Sequence, residues 1–146
     1  MIRAAKQGDE HGIFALIEAL ALYEKAPEQV TNTAKQLGID LFEDQVCEAI
    51  VAERDDKIVG FALWYTNYST WKGRCLYLED FYVLPEYRDL KIGSKLFDEV
   101  VATAKRKGVK RMDWQVLDWN KLALDFYERK NAILDPEWVN GRLFFN

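Results

Sequence analysis

Histidine and cysteine are scarce in this chain, and their scarcity narrows the chemistry that it can perform. His11 is the only histidine, and the two cysteines, Cys47 and Cys75, stand far apart in the sequence. The chain therefore has too few histidines and cysteines to make a Ser–His or Cys–His nucleophile or a multi-histidine metal site a good expectation. Neither a disulfide framework nor the C-x-x-C spacing of a zinc site is present. We expect both cysteines to be small core residues, and we expect no metal.

Long apolar runs and clusters of positive charge are also lacking. The longest apolar stretches span a few residues, which is too short to cross a bilayer, and the start of the chain is charged rather than typical of a secretion signal. The formal net charge is −4, and the basic run Lys105–Lys107 falls where a helix should end. We therefore expect a cytoplasmic protein that binds neither membrane nor nucleic acid.

The apolar pattern that is present indicates one domain over residues 1–146. Hydrophobic residues make up 49% and charged residues 30% of the chain, the balance of a globular protein. The periodicities predict the order β-α-α-β-β-β-α-β-α-β-β, and hence an α/β (α+β) fold with a mixed sheet flanked by helices. Predicted helices cover 9–24, 33–42, 92–107 and a segment that Asn120 caps. Predicted strands cover 1–5, 49–53, 58–68, 75–83, 109–117 and 142–145.

The predicted strand 75–83 carries two adjacent carboxylates, Glu79 and Asp80. Its two faces are otherwise apolar or aromatic, which is the pattern of a strand buried on both sides, and alternation places the two acids on opposite faces. A buried carboxylate without a partner is costly or changes its pKa. Two interpretations stay open: an ion pair with a neighbouring Arg or Lys, or a pair of acids facing a cleft that binds a cation.

The segment 84–94 joins this strand to the strongest predicted helix. Backbone N–H groups and the positive end of the helix dipole converge at such a junction and form an anion site. Arg88 and Lys91 add positive charge that suits phosphate, although many such turns bind nothing. Tyr127 lies on a later helix that could reach the same cleft, but an aromatic residue on an amphipathic helix is more often part of the core.

Together these segments resemble a known family. The stretches concerned are Leu76–Phe81, Pro85–Arg88, Ile92–Ser94, Trp119–Asn120 and Phe126–Tyr127. They resemble the acetyl-CoA motif of the GNAT N-acetyltransferases, and especially its diamine (spermidine/spermine) branch, and the likeness covers nearly the whole chain. The resemblance implies a GNAT-type, mostly antiparallel central sheet. It also implies transfer of an acetyl group from acetyl-CoA, without a metal, to the primary amine of a small cationic acceptor.

The resemblance also assigns roles to individual residues. Glu79 would take the proton of the amine, which then attacks the thioester directly, and Tyr127 would protonate the sulfur or only hydrogen-bond to it. Cofactor binding is implied for Phe81, Tyr82, Val83, Arg88, Asp89, Leu90, Lys91, Ile92, Gly93, Ser94, Asn120 and Tyr127. Acceptor binding is implied for Tyr23, Glu24, Glu79, Asp80, Asp113, Trp114 and Gln115. Members of the branch are typically homodimers, so we expect a homodimer.

Two departures from the family pattern keep alternatives open. Lys91 stands where the superfamily's phosphate loop has its first glycine, and Asp89 stands where close members tend to have glycine. Ser69 and Thr70 stand where the polyamine enzymes tend to carry an acid, which makes a shorter amine or a lysine-like amino acid competitive as acceptor. The alternatives are a weakly active or non-catalytic acyl-CoA sensor on the same fold, and an acetyltransferase that acts on a protein or peptide amine.

Overall fold

The computed structural model describes residues 1–145, and its elements follow the predicted order through the fourth helix. The strands are β1 (Ile2–Ala4), β2 (Glu48–Arg54), β3 (Lys57–Ser69), β4 (Gly73–Val83) and β5 (Met112–Asp113). The helices are α1 (Glu10–Tyr23), α2 (Ala34–Gly38), α3 (Ile92–Lys107) and α4 (Lys121–Arg129). Short 3-10 turns occupy Pro27–Gln29 and Pro85–Leu90, and a wider turn, Ile39–Glu43, continues α2. None of the helices described between residues 1 and 145 is long and apolar enough to cross a membrane.

The five strands form one mixed sheet in the order β1-β2-β3-β4-β5. The first four strands pair antiparallel, with α1 and α2 between β1 and β2 and short turns between β2, β3 and β4. Strand β5 runs parallel to β4, because α3 carries the chain back between them. The predicted mixed, mostly antiparallel sheet flanked by helices is confirmed.

Helices cover the sheet on both faces. Ile13 and Leu16 of α1 pack with Phe61 of β3 in the core on one face, which we call the α1 face. On the other, the α3 face, Leu96 of α3 lies against β3 at Gly60, where an added Cβ would stand only 3.1 Å from the Leu96 Cδ1 atom. The site described below lies on the α1 face where α1 ends.

Two predicted strands differ from the structure. The strand predicted over 109–117 is reduced to Met112–Asp113, which pairs with Leu76 and Tyr77 before the chain leaves β4. The structure has no strand between residues 132 and 145. The prediction of a strand over 142–145 is therefore wrong, and so are the last two strands of the predicted order. A strand needs a neighbour to accept its backbone hydrogen bonds, and none of the described strands pairs with this segment.

The chain divides into two compact units, Met1–Gln115 and a second that begins at Val116. The second unit contains α4, which Asn120 caps: its Oδ1 atom accepts a hydrogen bond from the Ala123 N–H at 3.2 Å. Asn131 follows the helix with a left-handed φ of 64°. The Asn120 cap confirms the prediction for this helix. In the first unit, Thr33 Oγ1 likewise caps α2 by accepting from the Gln36 N–H at 3.1 Å.

Candidate active site

A β-bulge in β4 decides where the two adjacent carboxylates lie. Leu63 of β3 pairs with Asp80, but the next residue, Trp64, pairs with Leu78, so that Glu79 is an extra residue in β4 with no residue opposite. A bulge of this kind sets two residues against one and re-aims the side chains beside it. The alternation of β4 therefore changes phase at Glu79.

The side chains on either side of the bulge show this change of phase. Phe81 packs against Phe97 of α3, at 5.9 Å between ring centroids, whereas Tyr82 belongs to the core on the α1 face. Leu78, before the bulge, is opposite Trp64, which lines a groove beside α3. Leu78 and Phe81 thus share the α3 face, so the simple alternation that the sequence analysis assumed along this strand is wrong.

Three carboxylates, Glu24, Glu79 and Asp80, gather where α1 ends, and we call them the acid cluster. Asp80 is half-buried, and its burial, followed by the negative charges of Glu79 and Glu24, raises its pKa to about 7. Burial also raises the pKa of Glu24, the residue that follows α1. Within residues 1–145, no side-chain hydrogen bond or ion pair engages any of the three carboxylates. Because the acid cluster has no ion-pair partner among the described residues, it favours a cationic ligand.

The face beside the acid cluster continues into polar residues that sequence reasoning missed. The rings of Tyr65 and Tyr77 lie 5.3 Å apart between centroids, and burial, followed by the charge of Glu79, raises the pKa of the Tyr65 hydroxyl. Two residues further along β3, the Asn67 Oδ1 atom is buried and has no hydrogen-bond partner in the described part of the chain. One signal was available in the sequence, because the apolar run of β3 ends at Trp64 and tyrosine and polar residues follow it over 65–69.

The loop after β4 forms an open helix start. Lys91 ends the 3-10 turn with φ 59° and ψ 22°, and α3 begins at the next residue. This left-handed conformation is the one that glycine adopts without steric cost, so Lys91 keeps the backbone shape of the glycine that it replaces in the family pattern. The Lys91 side chain makes no capping hydrogen bond within the described residues, and no acid lies in the first turn of α3. These features fit a bound diphosphate.

Arg88 links this loop to the ends of β4 and α1. Its Nε atom donates a hydrogen bond to the Val83 carbonyl oxygen at 2.9 Å. Its guanidinium carbon lies 5.7 Å from the centroid of the Tyr23 ring and 5.4 Å from that of the Tyr82 ring. Phosphate binding by this side chain stays a prediction, and the structure places its guanidinium group on the rings of Tyr23 and Tyr82.

Only part of the segment 113–115 lies on the face of the sheet that carries the acid cluster. Asp113 is in register with Tyr77, but its carboxylate is paired with Arg111 at 2.8 Å. The Trp114 ring instead meets the Phe97 ring of α3 edge-on, with centroids 5.5 Å apart. The structure therefore places Asp113 and Trp114 on different faces of the sheet.

The remaining predicted residues lie at the end of the first unit or in the second. Gln115 is exposed and closes the first unit. In the second unit, the side-chain oxygen of Asn120 is used as the cap of α4, and the buried Tyr127 meets the Phe126 ring edge-on at 5.5 Å between centroids. No group of three or more His, Cys, Asp or Glu side chains in the described part of the chain could hold a metal ion.

Comparison with known proteins gives one consistent family. The pattern of the Acetyltransferase (GNAT) family matches residues 10–132. A thialysine N-epsilon-acetyltransferase from Bos taurus is 45% identical over 141 residues, which cover 90% of this chain and 83% of that protein. The spermidine/spermine N(1)-acetyltransferase-like protein 1 of Homo sapiens is 34% identical over 140 residues, which cover 90% of this chain and 20% of that protein. An aminoglycoside acetyltransferase structure from an uncultured soil metagenomic sample has a TM-score of 0.81 over 100% of this chain and 96% of its own, at 20% identity, and thus shares the fold.

Proposed function

Because this chain belongs to the GNAT acetyltransferase family and is therefore an acetyltransferase, we propose that it transfers the acetyl group of acetyl-CoA to a primary amine of a small cationic acceptor. The names of its relatives favour a lysine-like amino acid or a polyamine as that acceptor. The observation that carries the proposal is the acid cluster. Its three carboxylates have no cationic side chain as an ion-pair partner among the described residues, and they therefore favour an ammonium group as their ligand.

Two elements support the binding of acetyl-CoA. The open start of α3, with Arg88 and Lys91 beside it, suits the diphosphate, although the carboxylate of Asp89 opposes it. The backbone of Phe81–Val83 suits the pantetheine arm as an added strand, because in the described chain β5 pairs with β4 only at Leu76–Tyr77 and then diverges. Bound acetyl-CoA supplies the acetyl group as a thioester.

The acid cluster has two tasks in this reaction, to bind the ammonium and to remove its proton. An alkyl amine with a pKa of about 10.4 is neutral in only about one part in 2,500 at pH 7, so the proton must be taken before or during attack. The N–C bond then forms as the C–S bond breaks, and the thiolate takes up a proton. The family resemblance gives the first proton transfer to Glu79 and the last to Tyr127, which either donates the proton or only hydrogen-bonds to the sulfur.

A thiol-release assay with acetyl-CoA tests this function. Diamines, polyamines and lysine analogues are each offered at equal concentration, with an acceptor peptide and an uncharged alcohol of matched length as comparisons. We expect turnover with one or more of the small cations and little with the other two. Turnover eliminates the sensor alternative, binding without turnover supports it, and preference for the peptide supports a protein acceptor. If calorimetry detects no acetyl-CoA binding at high micromolar concentration, the proposed function is wrong.

We further propose that residues 1–146 work as one GNAT domain in a cytoplasmic homodimer. The family match spans both compact units, and both cysteines are free thiols, a state that persists in a reducing compartment. The second unit exposes large apolar side chains, including Trp138 at 75% and Phe145 at 88%, which suit a partner surface. Light scattering at micromolar concentration should give the mass of a dimer, and a monomer mass would contradict this assembly.

A further inference from the structure

We propose that Asp80, and not Glu79, is the residue that accepts the proton from the acceptor's ammonium group. The inference rests on the proposed function and changes which carboxylate performs its first step. The bulge gives the two acids different positions in the strand. Asp80 keeps its place in the ladder opposite Leu63, whereas Glu79 is the extra residue and is exposed to solvent.

The position of Asp80 is that of a base rather than of a surface charge. Its half-buried carboxyl lies on the face where α1 ends, and no hydrogen bond or ion pair engages it within the described residues. Both neighbouring charges that act on it, those of Glu79 and Glu24, are negative. A proton or a cation on Asp80 therefore relieves repulsion, which is the property that a proton acceptor for an ammonium group needs.

The charges that act on this carboxyl are those of Glu24, which follows α1, and of Glu79 in β4. Tyr65 of β3 is within reach of the Glu79 charge, and the guanidinium group of Arg88 lies on the rings of Tyr23 and Tyr82. Burial and the two carboxylates raise the pKa of Asp80 to about 7. Proton transfer from an amine of pKa about 10.4 is then uphill by about three pK units, against about six and a half for an ordinary Asp.

Glu79 has a different task in this arrangement. Its charge acts on both Asp80 and Tyr65, so it attracts the cation and keeps the proton affinity of Asp80 high. In the proposed step, the ammonium N–H bond breaks as the Asp80 O–H bond forms, and the electron pair left on nitrogen attacks the thioester carbonyl. The C–S bond then breaks, and the nitrogen gives up a second proton as the thiolate takes one up. Asp80 then releases its proton to water, and no oxidant or other reactant is needed.

The pH profile of kcat/KM for the best acceptor separates the two acids. In the unaltered enzyme we expect a rise to about pH 7 and a plateau up to the pKa of the amine. In Asp80→Asn no base remains, so kcat/KM should fall by about 10²–10⁴ at pH 7 and recover about tenfold per pH unit toward pH 10. In Glu79→Gln the plateau should persist, with its lower limit moved to lower pH because one negative charge is gone. Asp80→Glu should restore part of the plateau, and Asp44→Asn, an exposed acid elsewhere, is the matched control.

The opposite pattern would overturn the inference: loss of the plateau in Glu79→Gln, with only a displaced plateau in Asp80→Asn. A readout without activity guards against variants that do not fold. Carboxyl 13C NMR of the unaltered protein should show one Asp that titrates near pH 7 and disappears in Asp80→Asn or Asp80→Glu. If all Asp carboxyls titrate near 4, the inference is wrong while the proposed function stands. If the enzyme acetylates no amine, both are wrong.

Discussion

Replacing Asp80 with Asn should change the stability of the protein in a pH-dependent way. The pKa of Asp80 is raised from its usual 3.8 to about 7, so the folded chain holds this proton more tightly than the unfolded chain. The folding free energy therefore becomes less favourable as pH rises from about 4 to about 7. About three pK units correspond to an upper bound of about 4 kcal/mol, and Asn at this position escapes that cost.

Urea unfolding followed by circular dichroism measures the effect at pH 4.5 and pH 8. The comparison between the two pH values cancels the constant cost of burying an amide in place of a carboxylic acid. We expect Asp80→Asn to gain about 3 kcal/mol relative to the unaltered protein between pH 4.5 and pH 8, and we expect Asp44→Asn, an exposed acid, to gain none. A stability difference for Asp80→Asn that stays the same at both pH values would refute the reasoning about a half-buried, unpaired carboxyl.

Three further predictions concern the backbone and the core. Lys91 has a left-handed φ of 59°. In urea unfolding, Lys91→Gly should therefore keep the free energy of unfolding within about 1 kcal/mol, whereas the β-branched Lys91→Val should lower it by about 1–2 kcal/mol. The reverse order would contradict the assigned conformation. Asp9 accepts hydrogen bonds from Arg3 at 2.7 and 3.1 Å, and these bonds hold its pKa low. Asp9→Asn should therefore lose about 2 kcal/mol at pH 7, a loss that shrinks as pH falls below about 4 in an acid titration. Gly60→Ala puts a Cβ 3.1 Å from the Leu96 Cδ1 atom and should cost about 1–3 kcal/mol in thermal unfolding; no loss would mean that α3 moves freely on the sheet.

The elements that were predictable from the sequence are those fixed by local periodicity. α3 begins and ends where predicted, because Ile92, Leu96, Val100 and Ala104 recur at four-residue spacing and Gly108 takes a left-handed φ of 71° after the helix. The loop that precedes α3 and the two acids of β4 were also predicted as candidate site residues from local sequence. Two adjacent acids are unusual in a strand that is otherwise apolar or aromatic, and the loop carries positive charge beside a helix start.

What could not be predicted depends on pairing between distant segments. The extra residue at Glu79 exists only in the register between β3 and β4, and no pattern within 75–83 shows it. The length of β5 depends in the same way on how long it stays beside β4. Tyr65 and Asn67 were missed because they join the acid cluster's face through that register. The residue predicted as the base, Glu79, was chosen without the knowledge that its neighbour is the less exposed acid.

The bulge also decides where the length of β4 can change. Leu76, Leu78, Phe81 and Val83 lie in the layer under α3, and Glu79 is the extra residue between two regular parts of the ladder. Because Glu79 has no residue opposite, deleting it would leave Leu78 opposite Trp64 and Asp80 opposite Leu63, and the flanking side chains would keep their faces. A deletion far from the bulge would instead turn the side chains on one flank of the deletion over. Laboratory evolution of this strand should therefore tolerate the loss of position 79 far better than a single-codon deletion elsewhere in the strand.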